Sequence, residues 1–378
     1  MEQNDKSEDI RKSTLQNISS VVIKIGTAAL TDNAGKIDTK FIFQISKQIT
    51  EISSTGRRIA LVSSGAIGAG MMELNLSRRP ETLPMLQAAA AVGQGQLMRT
   101  FHDAFGKFGT KVGQILLTRG DFEDRKRYLN IRNTISTLQD LKVIPIINEN
   151  DTVAVEELES KFGDNDIVAA LVTNMLDADL LIILTVVDGV IADGEVLDII
   201  KRIDSDTLKL AEKTRSKLGS GGMISKLQAA KMVTSAGKAV VITNAREPHV
   251  LRRILQAEKI GTLCLPADTK ISSRRRWIGQ AARAAGKIII DEGAVMAISK
   301  RGKSLLPSGI VAISGKFARG DTVSIVDEKG NQIARGLTNY SSDEVEMIKG
   351  LKSSQIASVL GEKPYDVVVH RNNMVITP

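Results

Sequence analysis

The chain of 378 residues is long enough for two or three domains, and its 42% hydrophobic and 25% charged residues exclude a disordered or fibrous protein. One cysteine and three histidines, with no HExxH motif, exclude a disulfide framework and argue against a resident metal site. The formal charge of +8 is concentrated in residues 270–320, where eleven Lys or Arg residues face only Asp291 and Glu292, so any basic partner surface belongs to that segment.

The first twenty residues, MEQNDKSEDIRKSTLQNISS, are polar and carry both charge signs. This composition predicts a flexible leader over residues 1–19 and is not typical of a signal peptide. No stretch reaches the 18 or so uninterrupted apolar residues that a membrane span needs. We therefore expect a cytoplasmic protein that does not bind membranes.

Short β-branched runs alternate with longer helical patterns over residues 20–267. The predicted strands are Val21–Ile25, Ile59–Ser63, Val112–Leu117, Val143–Ile147, Leu180–Thr185 and Ala239–Ile242. The predicted helices include Thr39–Ser53, Leu83–Phe105, Asp166–Leu176 and Met223–Ala236. Several of these strands are apolar without alternation, as buried parallel strands are, so the pattern predicts an α/β domain whose sheet is covered on both faces.

The pattern changes after Pro266. A basic linker, residues 268–284, leads into short strand patterns separated by Gly and Pro signals. These predicted strands are Lys287–Asp291, Gly309–Ser314, Thr322–Val326, Gln332–Arg335 and Asp366–His370. Residues 285–378 are therefore expected to form a small, mostly β domain.

The first predicted strand carries a lysine within VIKIGT, residues 22–27. Because a buried ammonium is costly, Lys24 should emerge at the carboxyl end of the strand, where α/β sheets bind ligands. Gly26 would let backbone N–H groups approach an anion closely. A lysine on an edge strand that reaches solvent is an equally good interpretation of this motif alone.

The second predicted strand ends in SSGAIGAG, residues 63–70, a glycine-rich turn that leads toward a helix. Such a turn presents N–H groups to phosphate or carboxylate, with Ser64 as a further donor. The glycine order is GxxGxG and not GxGxxG, so it does not indicate a dinucleotide site. A tight connection that needs small residues explains the turn nearly as well.

Two polar clusters and a second glycine-rich segment follow. NEND (148–151) comes after the fourth strand, and GDND (163–166) opens a helix. Amides and carboxylates at one sheet edge can bind a small zwitterion, although Asn and Asp also serve as turn and N-cap residues. In GSGGMISK (219–226), glycines precede a helix with Lys226 one turn in, which suits contact with a phosphoryl group.

Taken together and in this order, the motifs resemble the amino acid kinase family, and within it the enzymes that phosphorylate glutamate at the start of proline biosynthesis. The matching stretches cover nearly the whole chain after residue 20. They are VVIKIGT (21–27), LVSSGAIGAG (61–70), VGQILLTRGDFEDRKRYLNIRNT (112–134), PIINENDTVAVEE (145–157), FGDND (162–166) and SGGMISKLQAA (220–230). The tail, with DEGAVMAI (291–298), LLPSGI (305–310) and GKFARGD (315–321), resembles a PUA domain, a small β-barrel best known from RNA-modifying enzymes.

The resemblance implies a three-layer αβα sandwich with a mainly parallel sheet, plus a small C-terminal β-barrel. It implies that Lys24 and Lys226 stabilise charge on a transferring phosphoryl group and that Asp166 holds both lysines. The residues that it implies for glutamate are Ser64, Asn148, Asp151 and Asn165. Those that it implies for ATP, besides the two lysines, are Gly26, Thr27, Gly65, Thr185, Val186, Ser220, Gly221, Gly222, Met223, Ile224 and Ser225.

The resemblance also implies that Mg²⁺ is held mostly by the ATP phosphates, that the protein is a homo-oligomer, and that proline inhibits it at or near the glutamate site. One segment departs from the family pattern. The family has Thr-Asp followed by a Gly-Leu-Tyr turn, whereas this chain has TVVDGVI (185–191), with Val186 and Ile191 in place of the aspartate and the aromatic residue. Because of this departure, the sequence predicts the affinity for the nucleotide and the choice of nucleotide less firmly than it predicts phosphoryl transfer.

Two functions other than glutamate phosphorylation are also considered for this chain. One is a kinase for another small carboxylate or a nucleoside monophosphate. The other is an RNA-binding or RNA-modifying protein led by the tail and its basic segment, but residues 270–378 offer only Trp277, Phe317, Tyr340 and Tyr365 for stacking on bases. A complete set of phosphoryl-transfer motifs favours the kinase.

Overall fold

The computed structural model describes residues 2–32, 35–153, 165–213, 222–267 and 284–377. The chain divides into two compact units. The first unit comprises Met1–Asp121 and Leu129–Lys270, and the second comprises Phe122–Tyr128 and Ile271–Pro378.

The first unit contains an eight-stranded sheet. Its strands and an adjoining hairpin are β1 (Ser20–Ile25), β2 (Arg58–Ser63), β3 (Lys111–Leu117), β4 (Val143–Glu149), β5 (Leu180–Thr185), β6 (Ile191–Ala192), β7 (Glu195–Val196), β8 (Ile199–Ile200), β9 (Ala239–Asn244) and β10 (Thr262–Cys264). The order across the sheet is β3-β4-β2-β1-β5-β9-β10-β8, and β6 pairs only with β7. Neighbours run parallel except that β10 is antiparallel to β9, so the mainly parallel sheet is confirmed.

The helices before residue 260 connect these strands. They are α1 (Glu2–Leu15), α2 (Thr27–Leu30), α3 (Thr39–Ser54), α4 (Ala66–Glu73), α5 (Leu83–Gly106), α6 (Arg119–Glu123), α7 (Arg125–Asp140), α8 (Asn165–Leu176), α9 (Ser205–Lys213), α10 (Met223–Thr234) and α11 (Val250–Leu255). Helix α3 shows why they form where they do. The side chain of Asp38 accepts the Phe41 N–H at its start, and apolar residues at helical spacing bury one face.

The two faces of the sheet have different neighbours because successive side chains of a strand point to opposite sides. On β1, Val21, Ile23 and Ile25 join the core that includes buried residues of α3, α5 and α11. Lys24 points to the other face, where its ammonium group meets a carboxylate of α8. Helices therefore cover both faces, which confirms the three-layer architecture.

The strand order also fixes where a ligand site can lie. From β1 the chain continues into β2 on one side, whereas β5 lies on the other side, so the order reverses next to β1. In sheets of this kind, the crevice at the carboxyl ends of the strands beside such a reversal is the usual ligand site. Lys24, Ser64, Asn148 and Thr185 all lie at or just after these carboxyl ends.

The segment expected to be a flexible leader is a helix in the structure. Arg11 of α1 is fully buried, with its guanidinium group 2.6 Å from the carboxylate of Asp198. The same group donates hydrogen bonds to the backbone carbonyls of Glu258, Ile260 and Gly261. The polar composition of this segment hid the helix, because its buried contacts are made by Arg11 and by Leu15 at its end and not by an apolar stripe along it.

The second unit has its own sheet and core. Its strands are β11 (Gly286–Ile290), β12 (Ile310–Gly315), β13 (Thr322–Asp327), β14 (Gln332–Thr338) and β15 (Val369–Ile376), and its helices are α12 (Glu292–Ser299), α13 (Ser342–Ile348) and α14 (Ile356–Leu360). The order is β12-β11-β13-β14-β15, and a bridge between Leu305 and Val369 links the segment before β12 to β15. This small β domain confirms the expected fold class, although β15 lies farther along the chain than the predicted strand over Asp366–His370.

Candidate active site

Three charged side chains from three elements meet at the carboxyl edge of the main sheet. The Lys24 Nζ atom lies 2.6 Å from one carboxylate oxygen of Asp166, and the Lys226 Nζ atom lies 3.0 Å from the other. Two ammonium groups and one carboxylate leave a net charge of +1 in this triad. The predicted pair of lysines is thus brought together, with Asp166 between them.

The triad is shielded from water. Asp166 is 0% exposed, and Lys24 and Lys226 are 4% and 7% exposed. Burial alone would raise the pKa of Asp166, but the charges of Lys24 and Lys226 outweigh burial and hold that pKa below its usual value. A buried cluster with a surplus positive charge favours an anion next to it.

Local structure places each member of the triad. Lys24 is the fifth residue of β1, whereas Asp166 and Lys226 lie in the first turns of α8 and α10. Gly26 follows β1, and a side chain there would begin 3.5 Å from the Lys24 ammonium group. The Gly26 N–H donates to the Leu184 carbonyl at 3.2 Å, so it joins β1 to β5 and does not face a ligand as the sequence had suggested.

The glycine-rich turn after β2 lies beside the end of β1. Gly65 has φ +95°, a conformation that glycine adopts readily, and it is the N-cap of α4. A Cβ atom at Gly65 would lie 3.6 Å from the Thr27 side chain, so the two predicted anion-contacting turns are neighbours. Ser64, just before Gly65, is 6% exposed.

Two of the four predicted substrate residues, Asn148 and Asn165, form a hydrogen-bonded amide cluster. Asn148, at 1% exposure, accepts from the Asn165 side-chain amide at 3.2 Å and from the Glu149 N–H at 2.9 Å. Asp151 lies in the turn after β4 and is partly exposed. Asn165 and Asp166 are consecutive in α8, so the amide cluster adjoins the charged triad.

Sequence reasoning missed Gln94, a member of this cluster. Its side-chain oxygen accepts a hydrogen bond from the Asn148 amide at 2.8 Å, between two buried side chains. In α5 the buried positions are otherwise apolar or small, including Ala90, Gly93 and Leu97. A single glutamine on the buried face of an apolar helix was the signal that would have found it, since buried polar groups require partners.

The structure describes only some of the residues that the sequence predicts to contact ATP. Thr185 ends β5 and is buried, whereas Val186 exposes 47% of its surface next to it. Gly222 is the N-cap of α10, and Met223, Ile224 and Ser225 form the first turn before Lys226. The predicted Ser220 and Gly221 lie outside the described residues, as do the first three residues of FGDND.

In the described part of the chain, no group of three or more His, Cys, Asp or Glu residues is arranged to hold a metal ion. No described helix is both long enough and apolar enough to cross a membrane.

Two family models match the chain. One, described as the amino acid kinase family, matches residues 19–244. The other, described as the PUA domain, matches residues 286–360.

Individual proteins match over most of the chain. A glutamate 5-kinase from Caldanaerobacter subterraneus subsp. tengcongensis is 49% identical over 94% of this chain and 97% of its own length. A glutamate 5-kinase from Citrifermentans bemidjiense is 44% identical over 97% of this chain and 100% of its own length. A solved structure of a carbamate kinase from Giardia lamblia bound to AMP-PNP has a TM-score of 0.50 and 21% identity, and covers 67% of this chain and 100% of its own. The last likeness supports the fold alone.

Proposed function

This chain belongs to the amino acid kinase family and carries a C-terminal PUA domain, and we propose that it is a glutamate 5-kinase. The reaction is transfer of the γ-phosphoryl group of ATP to the γ-carboxylate of L-glutamate, which gives L-glutamyl 5-phosphate for proline biosynthesis. The observation that carries this proposal is the buried Lys24–Asp166–Lys226 triad, whose surplus positive charge adjoins an amide cluster.

The chemistry suits these residues. A carboxylate is ionised at neutral pH and is already a nucleophile, so the reaction needs no general base. Catalysis must then come from positioning the two substrates and from stabilising negative charge on the transferring group. Lys24 and Lys226 supply that charge, and Asp166 fixes both of them without neutralising them fully.

We assign the substrate roles by chemical complementarity. The Asp151 carboxylate suits the ammonium group of glutamate, and Ser64, Asn148 and Asn165 supply neutral hydrogen-bonding groups beside it. ATP would lie on the side formed by Thr27, Gly65, Thr185, Val186 and the start of α10, together with Ser220 and Gly221. This arrangement points the γ-carboxylate of glutamate toward the triad.

Magnesium would enter with ATP. Among the described residues, both oxygens of the Asp166 carboxylate contact lysine ammonium groups. We therefore propose that Mg²⁺ is bound mainly by the ATP phosphates.

Proline is the inhibitor that we propose for the same site. It shares with glutamate an α-carboxylate beside a positively charged amine, so the groups that hold glutamate suit it as well. We also propose a homo-oligomer, which light scattering of the purified protein measures. RNA binding by the PUA domain stays an alternative that the described site does not favour.

The proposal is tested by ADP release with a panel of small carboxylates. L-Glutamate should support turnover with ATP and Mg²⁺, whereas aspartate, carbamate and UMP should support little or none. Turnover with one of the other acceptors but not with glutamate would contradict the proposed substrate.

A further inference from the structure

Gln94 lies in the amide cluster but carries no formal charge and no assigned role. It is 9% exposed and belongs to the long helix α5. Its side-chain oxygen accepts from the Asn148 amide nitrogen at 2.8 Å. This contact joins α5 to the carboxyl end of β4.

The Asn148 amide is held from both of its ends. Its oxygen accepts from the Glu149 N–H, which can only donate, and from the NH₂ group of Asn165, while its own NH₂ group donates to Gln94. One of the two N–H donors of the Asn165 amide is thereby engaged, and its oxygen faces away from Asn148. The Asn165 oxygen is buried and has no hydrogen-bond partner among the described residues.

A buried carbonyl oxygen without a partner needs a donor. An ammonium group of the substrate is such a donor, whereas a carboxylate would be repelled by the oxygen. The orientation of the hydrogen-bonded amides therefore decides whether an oxygen faces the substrate. Gln94 would affect substrate binding through its contact with Asn148.

The backbone of α5 holds Gln94 firmly. A Cβ atom on the preceding Gly93 would lie only 1.9 Å from the Ala66 carbonyl oxygen, so α5 approaches the start of α4 as closely as glycine permits. Ala66 follows the Ser64–Gly65 turn. The same stretch of α5 thus fixes both the glycine-rich turn and the amide cluster.

We propose that Gln94 is a positioning residue for glutamate recognition: together with the Glu149 N–H it holds the Asn148 amide in place, and through it the Asn165 amide, so that the Asn165 oxygen accepts a hydrogen bond from the substrate ammonium group. This inference rests on the proposed function. It extends that function by assigning one polar contact of the substrate and the residue that orients it.

The test compares Gln94→Leu, which removes the acceptor at similar volume, with Gln94→Glu, which keeps an oxygen facing Asn148. Gln94→Leu should raise the KM for glutamate about tenfold while the KM for ATP changes less than about twofold. Gln94→Glu should restore the KM for glutamate to within about threefold of wild type. Gln96→Leu is the matched control, because Gln96 lies on the same helix and is exposed.

Glutarate, which lacks the ammonium group, tests the polarity of the contact. As a competitive inhibitor, glutarate should bind the wild-type protein at least tenfold more weakly than glutamate does. The Gln94→Leu substitution should lower the affinity for glutarate much less than the affinity for glutamate. The inference would be overturned if Gln94→Leu had a wild-type KM for glutamate, or if its KM values for glutamate and ATP rose equally. It would also be overturned if Gln94→Glu did not restore the KM for glutamate, or if Gln94→Leu bound glutarate and glutamate more weakly by the same factor. Wild-type protein without glutamate-dependent ADP release would instead reject the proposed function itself.

Discussion

The charged triad and the amide cluster adjoin each other but are held by different forces. The triad joins Lys24, Asp166 and Lys226 through two buried ion pairs, whereas the cluster joins Gln94, Asn148 and Asn165 through hydrogen bonds between neutral amides. Removing one buried charge leaves another uncompensated, but removing one amide leaves at most an unsatisfied donor or acceptor. Substitutions in the triad should therefore change the rate of transfer most, and substitutions around the cluster should change glutamate affinity.

The largest effect is expected at Asp166, the shared member of the triad. Asp166→Asn leaves two buried ammonium groups with no opposing charge, so kcat should fall on the order of 10³-fold or more and the free energy of unfolding by about 3–5 kcal/mol. Steady-state kinetics and urea denaturation measure the two quantities. Near-wild-type turnover in the folded variant would show that the lysines do not need this carboxylate.

The stability effect at Asp166 should also depend on pH. Because the lysines hold the pKa of Asp166 below its usual value, its ionised form stabilises the fold fully above about pH 4. That stabilisation is lost as pH falls through the pKa of the folded state. The stability difference between wild type and Asp166→Asn should therefore be constant near neutral pH and shrink in acid, and a difference that grows in acid would contradict this assignment.

A smaller effect is expected when either lysine is removed, because the other still pairs with Asp166. Lys24→Ala and Lys226→Ala should each lower kcat on the order of 10²-fold or more, with a smaller change in the KM for glutamate. Lys209→Ala is the matched control, since Lys209 is exposed and pairs with Asp206 on α9. Unchanged turnover in either triad variant would remove the lysines from the proposed chemistry.

At the proposed glutamate site, Asp151→Asn should raise the KM for glutamate about tenfold, or about 1.4 kcal/mol, because it removes the negative charge that we assign to the substrate ammonium group. The KM for ATP should change little. Asp140→Asn serves as a control, since Asp140 is an exposed carboxylate at the end of α7. If the KM for ATP rose and the KM for glutamate did not, the residues assigned to glutamate and those assigned to ATP would have to be exchanged.

The smallest effect on catalysis is expected from removing the C-terminal domain. The core of the first unit is built from residues between Leu15 and Leu265, so a chain that ends after residue 267 should fold and keep part of its kinase activity. Residues 122–128, which group with the second unit, are the part expected to loosen. Circular dichroism and ADP release test this, and an unfolded truncated chain would reject both the proposed boundary and the independence of the first domain.

The sequence predicted the central strands well because each is a short apolar run bounded by polar or glycine residues. The predicted Leu180–Thr185 coincides with β5, and the predicted Leu83–Phe105 differs from α5 by one residue. Strands β6, β7, β8 and β10 were missed because each has only two or three residues, too few for a period to show. Such short strands depend on tertiary pairing more than on local sequence.

For the site, the sequence could identify groups with distinctive chemistry but not the contacts that orient them. Lys24, Asp166 and Lys226 are charged residues in apolar or glycine-rich surroundings, and the structure brings all three together. The Gly26 N–H bonds to Leu184 on another strand, which a local glycine pattern cannot reveal. Gln94 lies 54 residues from Asn148 in the chain, so their contact follows only from the packing of α5.

If glutamate binds with its γ-carboxylate next to the triad, the product of the reaction is an acyl phosphate. Hydroxylamine traps such a mixed anhydride. Incubation of the protein with ATP, Mg²⁺, L-glutamate and hydroxylamine should give γ-glutamyl hydroxamate and ADP in equal amounts, and omission of glutamate should abolish both. Glutamate-dependent ADP release without hydroxamate, or neither product from folded protein, would show that the protein does not phosphorylate the γ-carboxylate of glutamate.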